Sequence, residues 1–361
     1  MSKATEALKK KLRTKAEPPP AADYALGLST GSTLLNLACS GRRTVGFVPG
    51  SFIFMVGDSA SGKTWIAMSA FAEACLNEKF SSYKLIFDNP ENGALMDLRR
   101  YFGNAAAERI VPPTDDAKQG SSGTVEEFYF NVERSLNDGP CLYVLDSMDA
   151  LTTEDERDKF AEVRKAHEKG KETSGSYGTS KAKLNSSYLR VVFNRLRETG
   201  SILIVLCQTR DNIGFGAQFN PKTRGGGHAL TFYATLELWT SIAGHVKKTV
   251  RGKPRELGIL CKARVKKNRL TGRDRTVQFP ILHSFGIDDL GSLIAWQVEE
   301  GHWTESKGRI EASEFDFNGT AEQLVALLER DDREDELRLL VAANWQDLED
   351  ACSVERKARY A

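Results

Sequence analysis

Four stretches of the chain carry apolar residues with almost no polar interruption: "SFIFMVG" at 51–57, "KLIFDN" at 84–89, "CLYVLDS" at 141–147 and "SILIVLCQ" at 201–208. Between them apolar residues recur at helical spacing, in "GKTWIAMSAFAEACLNEKF", "GALMDLRRYF", "TVEEFYFNVERSL" and "LNSSYLRVVFNRLRETG". Continuous apolar strands separated by helices predict a parallel sheet covered on both faces. Beyond residue 234 the pattern changes. "TLELWTSI", "LGILCKARVKKN" and "DRTVQFPIL" are strand-like and joined by short turns with glycine or proline, which predicts an antiparallel extension of the sheet. Residues 305–361 are polar with helical periodicity, as in "GTAEQLVALLERDD" and "DELRLLVAANWQDLEDA". The predicted organisation is an N-terminal arm and linker at 1–27, an α/β core at 28–304 and a small C-terminal helical domain at 305–361. No internal repeat is visible.

Two segments fall outside this alternation. The first, "MSKATEALKKKLRTKAEPPP", places Leu8 and Leu12 four apart and ends in three prolines, so it reads as a short amphipathic helix. It is either a solvated tail or an arm that docks on a neighbouring subunit. The second, 152–183, is charged and then Ser/Gly-rich, with too few apolar residues to pack, and its second half is expected to be mobile.

Composition narrows the class. With 50 basic and 49 acidic residues the chain is nearly neutral, which excludes a globally basic coating protein but leaves local patches open. The six cysteines are scattered without a CxxC pair, which argues for a reduced, cytoplasmic protein rather than a disulfide scaffold. No run approaches the ~20 apolar residues of a membrane helix, and the N-terminus lacks the apolar core of a secretory signal.

"GDSASGKT", residues Gly57, Asp58, Ser59, Ala60, Ser61, Gly62, Lys63 and Thr64, has the spacing GxxxxGK[ST] between a predicted strand and helix. Backbone N–H groups of such a loop, with the helix N-terminus, cradle phosphates. Lys63 would reach the β- and γ-phosphates of ATP, and Thr64 would offer a hydroxyl to Mg²⁺. Asp146, ending "CLYVLD", is placed to hold the metal through water, or merely caps the next helix. Glu91 and Asp88, after "KLIF", are candidates for orienting the attacking water, or are exposed turn residues.

"LSTGSTLLNLACSG", "GDSASGKT", "LYVLDSMDALT", "LIVLCQTRDNIGFGAQFNPKTRGGGHALTFYATLEL" and "ARVKKNRL" together resemble, in order and from about residue 28 to 303, the RecA family of recombinases. The resemblance implies a RecA-like P-loop core, with ATP and Mg²⁺ bound between subunits of a helical filament. It places the catalytic glutamate at Glu91, with Pro90 as an extra residue before it, and the γ-phosphate-sensing glutamine at Gln208. The two basic residues that reach ATP from the neighbouring subunit correspond to Lys267 and Arg269. The family's adenine-stacking aromatic has no counterpart, since position 98 is leucine.

"RDNIGFGAQFNPKTRGGG" corresponds to the family's second DNA loop, and its residues suit that work on physical grounds. Gly225, Gly226 and Gly227 let backbone approach phosphates, while Arg210, Lys222 and Arg224 neutralise them. Phe215 and Phe219 can stack on bases without reading sequence. The competing reading is a lid over ATP. The Ser/Gly-rich insertion ending near Lys183 corresponds to the family's first DNA loop, and on the helix after it Lys183 and Arg190, seven apart, match the family's DNA-contacting arginines, or form a solvated basic face. The run from Lys247 to Arg275 holds twelve basic residues against Glu256 and Asp274, and serves either the neighbouring nucleotide, duplex DNA or solvation alone.

The expected function is a DNA-dependent ATPase that forms filaments on single-stranded DNA and exchanges strands with a homologous duplex. The alternatives are a RecA-fold accessory protein that organises DNA or a recombinase without exchange, and a hexameric helicase. The C-terminal helices are either a gateway for duplex DNA or a packing domain.

Overall fold

The computed structural model describes residues 23–93, 96–114, 120–169, 180–211 and 222–356. The expectations for Leu8 and Leu12, for Phe215 and Phe219, and for the Ser/Gly-rich half of the polar insertion lie outside the described residues. In chain order the elements begin with α1 (Thr33–Ser40), β1 (Phe52–Gly57), α2 (Lys63–Leu76), β2 (Lys84–Asp88), α3 (Leu98–Arg109) and β3 (Ile110–Val111). There follow α4 (Val125–Asp138), β4 (Cys141–Leu145), α5 (Glu154–Glu168), α6 (Ser180–Thr199), β5 (Ile202–Asp211), β6 (Lys222–Arg224) and α7 (His228–Tyr233). The chain then forms β7 (Leu236–Val250), β8 (Lys253–Asn268), β9 (Arg275–Leu282), β10 (Gly286–Ile287) and α8 (Asp289–Glu299). It closes with β11 (Thr304–Ser306), β12 (Arg309–Ala312), β13 (Phe317–Gly319), α9 (Ala321–Arg330) and α10 (Glu334–Ala351).

The main sheet has the order β10-β9-β8-β7-β1-β5-β4-β2-β3, with β6 added to the end of β5. Strands β3, β2, β4, β5, β1 and β7 pair in parallel; β7 to β10 pair antiparallel, as the change of pattern predicts. The α/β fold class of the sequence reading stands. Because side chains alternate across a strand, each central strand supplies two cores. Ile53, Met55, Leu142, Val144, Ile204 and Leu206 face α1, α2 and α8. Phe52, Phe54, Val56, Tyr143, Leu145, Val205 and Cys207 face α4, α6 and α7. Burial on both faces is why these strands read as unbroken apolar runs. All six cysteines are free, and no helix among the described residues is long and apolar enough to cross a membrane.

Two elements escaped the periodicity. α5 buries no residue, yet Thr153 and Glu156 close a capping box at its start, with Glu154, Asp155 and Glu156 in the first turn and Lys165 and His167 in the last. Capping and dipole complementarity, each worth roughly 0.3–1 kcal/mol, hold a helix that hydrophobic spacing cannot reveal. Residues 304–319 form a three-stranded antiparallel sheet before the C-terminal helices. Its hairpin turns at Lys307 and Gly308, both at positive φ as a two-residue turn requires.

The C-terminal helices are fastened to the sheet by apolar packing of Leu324, Leu328, Leu337, Val341 and Trp345 into the core that includes α8. Charge adds to it: the buried carboxylate of Glu349 accepts both ends of Arg275 at 2.6 Å and pairs with Arg273 at 2.6 Å. Arg275, and then Arg273, hold the Glu349 carboxyl below its usual 4.5. A carboxyl whose folded value is depressed stabilises above its unfolded value and loses that contribution as pH falls through the folded one. Glu349→Ala should therefore loosen α10, with a loss of about 1–3 kcal/mol because both guanidinium groups reach solvent. Proteolysis of α10 is expected to accelerate near neutral pH in the variant, and wild type and variant to converge only as pH falls through the depressed folded value of Glu349.

Candidate nucleotide and DNA site

The carboxyl ends of β1, β2, β4 and β5 converge on one edge of the sheet, where ligands bind in open α/β folds. There Gly57 closes β1 against β7; a Cβ at this position would lie 2.1 Å from Thr240 Oγ1. Ser61 is buried and ties the loop down, donating to the Asp58 carbonyl at 2.7 Å and lying 2.7 Å from Thr240 Oγ1. Gly62 occupies the left-handed region at φ 98°, and a Cβ there would sit 2.5 Å from Ile281 Cδ1. It caps α2 without any side-chain acceptor, so the first N–H groups of α2 have no side-chain cap and face the loop. Lys63, buried at the start of α2, donates to the carbonyls of Gly57 at 2.9 Å and Asp58 at 2.7 Å. Burial depresses its ammonium below the usual 10.5, against the pull of Asp146 and Glu91.

Thr64 donates to Asp146 Oδ2 at 2.7 Å. Burial raises the Asp146 carboxyl, and the Thr64 hydrogen bond opposes the rise. A hydroxyl and a carboxylate oxygen side by side are hard donors suited to Mg²⁺. Two such donors would leave the other positions of an ion to phosphate and water; among the described residues no group of three His, Cys, Asp or Glu is arranged to hold a metal.

The two carboxylates left open by spacing are separated by their surroundings. Asp88 is fully buried and saturated: it accepts from Ser122 N at 2.8 Å, Ser122 Oγ at 2.6 Å and Tyr143 OH at 2.7 Å. Glu91 instead lines a cavity of about 500 Å³ together with Lys63, Thr64 and Asp146. Ser147 Oγ donates to Glu91 Oε1, and Gln208 Nε2 reaches the same oxygen at 3.2 Å. The structure thus gathers Lys63, Thr64, Glu91, Asp146 and Gln208. It also reveals what the sequence reading missed. Trp65 lines the cavity, with the ring of Tyr101 edge-on at 5.3 Å, and its position directly after Thr64 was the available signal.

Gln208 belongs to β5, whose end carries the basic residues. Asp149 accepts from Gln208 N at 2.6 Å and from Arg210 at 3.2 Å. Thr209 and Lys222 both donate to the Asp58 carboxylate inside the phosphate loop. Arg224 lies 3.6 Å from the buried Glu237. The three glycines serve close packing here: a Cβ on Gly225 would meet Asp149 at 2.6 Å, on Gly226 would meet Leu230 at 2.3 Å, and on Gly227 would meet Ala182 at 2.7 Å. Asn185 of α6 donates to the Gly226 carbonyl at 2.9 Å, so α6 and this segment are joined. Lys183 and Arg190 are exposed on α6.

Lys267 and Arg269 stand apart from the cavity. Both donate to the Phe232 carbonyl at the end of α7, at 2.9 and 2.5 Å, and Lys267 also to Thr231 at 2.6 Å. The backbone of Arg269 bonds Thr235, which in turn bonds Phe52 at the beginning of β1. They therefore sit at the amino edge of the sheet, a strand length of roughly 20 Å from the phosphate loop.

The chain matches the RecA N-terminal domain over residues 24–288. It is 29% identical to the protein RecA of Cytophaga hutchinsonii over 301 residues, covering 81% of this chain and 73% of that protein. It is 27% identical to the protein RecA of Thioalkalivibrio sulfidiphilus, covering 76% and 71%, and 28% identical to that of Chlorobaculum tepidum, covering 76% and 70%. The matched span takes in every strand from β1 to β10, and with it the whole carboxyl edge just described: the chain belongs to the RecA N-terminal domain family.

Proposed function

We propose that this protein is a DNA-dependent ATPase of homologous recombination and repair, which assembles as a filament on single-stranded DNA and exchanges strands with a homologous duplex. One observation carries the reading: the Gln208 amide touches Glu91 in the nucleotide cavity while its own strand runs on into Arg210 and pairs with Lys222 and Arg224. A change felt at one end of β5 is delivered to the other within a few residues.

In this reading the loop N–H groups and Lys63 bind the triphosphate, and Glu91 orients the attacking water and accepts its proton. Mg²⁺, held through Thr64 and Asp146, supplies charge neutralisation at the phosphates when bound. Lys267 and Arg269 cannot reach their own cavity, so they act on the nucleotide of an adjacent copy. Positive charge arriving from that copy stabilises the charge that develops on phosphate oxygens, which links hydrolysis to assembly. Arg210, Lys222 and Arg224, with the exposed Lys183 and Arg190, form the basic lining of the single-strand site.

The test is ATP turnover with and without single-stranded DNA across a salt series. Turnover is expected to rise with DNA. The logarithm of the binding constant should fall by roughly 0.7 per neutralised phosphate per log unit of salt, hence by ~2 or more if three cations engage. Turnover indifferent to DNA, or a flat salt response, overturns the reading. A strand-exchange assay then separates a recombinase from an accessory protein, since only the former gives product that depends on homology.

A further inference from the structure

β4 stops at Leu145, paired with Val205, while β5 runs on to Asp211, so the side of β5 that faced β4 needs other partners. The chain leaving β4 turns over residues 147–150, with Ala150 N donating to the Ser147 carbonyl at 3.2 Å, and this turn takes over the pairing. Met148 N donates to the Leu206 carbonyl at 2.9 Å. Two residues further along β5, the Gln208 N–H donates at 2.6 Å to the Asp149 carboxylate in place of a backbone carbonyl.

The other oxygen of Asp149 is used as well. Oδ1 accepts from Arg210 at 3.2 Å, and a Cβ on Gly225 would lie 2.6 Å from the same atom. The strand running out to the basic residues and the segment returning from them therefore meet at one carboxylate. The same turn carries Ser147, whose hydroxyl donates to Glu91 Oε1, the oxygen that Gln208 Nε2 reaches at 3.2 Å. Glu91, Ser147, Asp149 and Gln208 thus close a ring, to which Arg210 is attached from outside. The Asp149 side chain is 14% exposed and that of Arg210 61%, so a phosphate arriving from solvent meets the guanidinium and not the carboxylate.

From this geometry we propose that Asp149 is a positioning residue that restrains the end of β5: it seats Gln208 on Glu91 and holds Arg210 back, and a nucleic-acid phosphate that captures Arg210 releases both. This rests on the reading above and names the contact through which single strands speed hydrolysis. While Ser147 and Gln208 both donate to Glu91 Oε1, that oxygen is engaged and is a poorer acceptor for a proton from water. The guanidinium braces the carboxylate through a charge-assisted hydrogen bond. A carboxylate that has lost this brace fixes the Gln208 N–H less firmly, Gln208 leaves Glu91, and the acid is free to act. Satisfying one strand N–H requires none of this, since an asparagine oxygen would serve it equally.

The test is a double-mutant cycle of Asp149→Asn and Arg210→Gln in the full chain, with Gly225→Ala as an independent perturbation. Asparagine keeps an oxygen for the Gln208 N–H but offers Arg210 no charge. Alanine at 225 leaves both partners in place and pushes Oδ1 aside, and Gly225 is not in the left-handed region, so its backbone accepts the change. Affinity for a fluorescein-labelled oligothymidylate is followed in a salt series with a non-hydrolysable ATP analogue, and ATP turnover is measured with and without that strand. Asp149→Asn should bind about fivefold tighter at 0.1 M salt and steepen the salt slope by up to ~0.7, the share of one phosphate. In the Arg210→Gln background the same substitution should shift affinity by less than about twofold, because no guanidinium remains to be freed. The DNA-free rate should rise severalfold toward the stimulated rate in Asp149→Asn and in Gly225→Ala, whereas a residue that only supports the fold would lose rate and binding together. Should Asp149→Asn fail to fold, Gly225→Ala decides by the same readouts. A DNA-free rate unchanged or lowered, or an equal gain in affinity without Arg210, overturns the inference and leaves the ATPase reading intact. Wild type whose binding and turnover are both indifferent to single strands defeats that reading itself, and the inference with it.

Discussion

Lys63→Ala is expected to reduce ATP turnover by at least 10²–10³-fold, the usual effect of removing one preorganised donor to developing phosphate charge, and to abolish nucleotide-dependent DNA binding. The fold should survive. Burial lowers the Lys63 pKa below its ordinary 10.5, so at neutral pH the folded state bears the expense of a desolvated ammonium, an expense that vanishes as pH rises past the unfolded value. Alanine removes that burden along with two hydrogen bonds to loop carbonyls, and thermal unfolding should shift little or upward. In the proposed function a triphosphate would relieve the same burden in the wild type, turning an unfavourable buried charge into binding energy. Turnover and DNA binding undiminished in the variant would remove the phosphate loop from the mechanism.

Glu91→Gln separates chemistry from binding. Glutamine keeps an oxygen for Ser147 and Gln208 but cannot take a proton, so nucleotide affinity should hold while turnover falls by about 10²–10⁴-fold, the range for a general base. DNA held by the ATP-bound form should then persist far longer. Single-turnover hydrolysis beside equilibrium nucleotide binding gives both numbers. A variant with normal turnover would move the water-activating role elsewhere, and Asp88 is a poor heir: its carboxylate is enclosed by Ser122 and Tyr143, and burial raises its pKa.

The contrast between those two acids marks where sequence reading stops. The strands were legible because burial on both faces leaves apolar runs, and the phosphate loop because its glycines meet backbone constraints at fixed spacing. Asp146 followed from its place at a strand end. Asp88 and Glu91 were inseparable on spacing. Asp88 ends β2 and turns into the core, whereas the Asn89–Asn92 turn, with Asn92 at φ 49°, carries Glu91 to the cavity. Contacts between distant residues left no local trace: Lys222 with Asp58, Gln208 and Arg210 with Asp149, Trp65 with Tyr101. Gly225–Gly227 were read for phosphate approach, and the structure adds a packing reason for each. α5 and the small sheet at 304–319 were missed because capping and turn geometry, not hydrophobic spacing, define them.

Lys222 is already paired with Asp58, as Arg210 is with Asp149 and Arg224 with Glu237, so each of the three cations proposed to meet DNA at the end of β5 would have to leave or share a carboxylate. Lys222, ahead of Thr209, keeps the Asp58 carboxyl below its usual 3.8. A DNA phosphate that captured Lys222 would leave Thr209 as the one side-chain donor to the Asp58 carboxylate, beside the loop proposed to hold a triphosphate. Within the proposed function this ion pair therefore opposes joint binding of the two ligands by the same factor whichever binds first. For nucleotide to promote DNA binding, the rest of β5 must outweigh it.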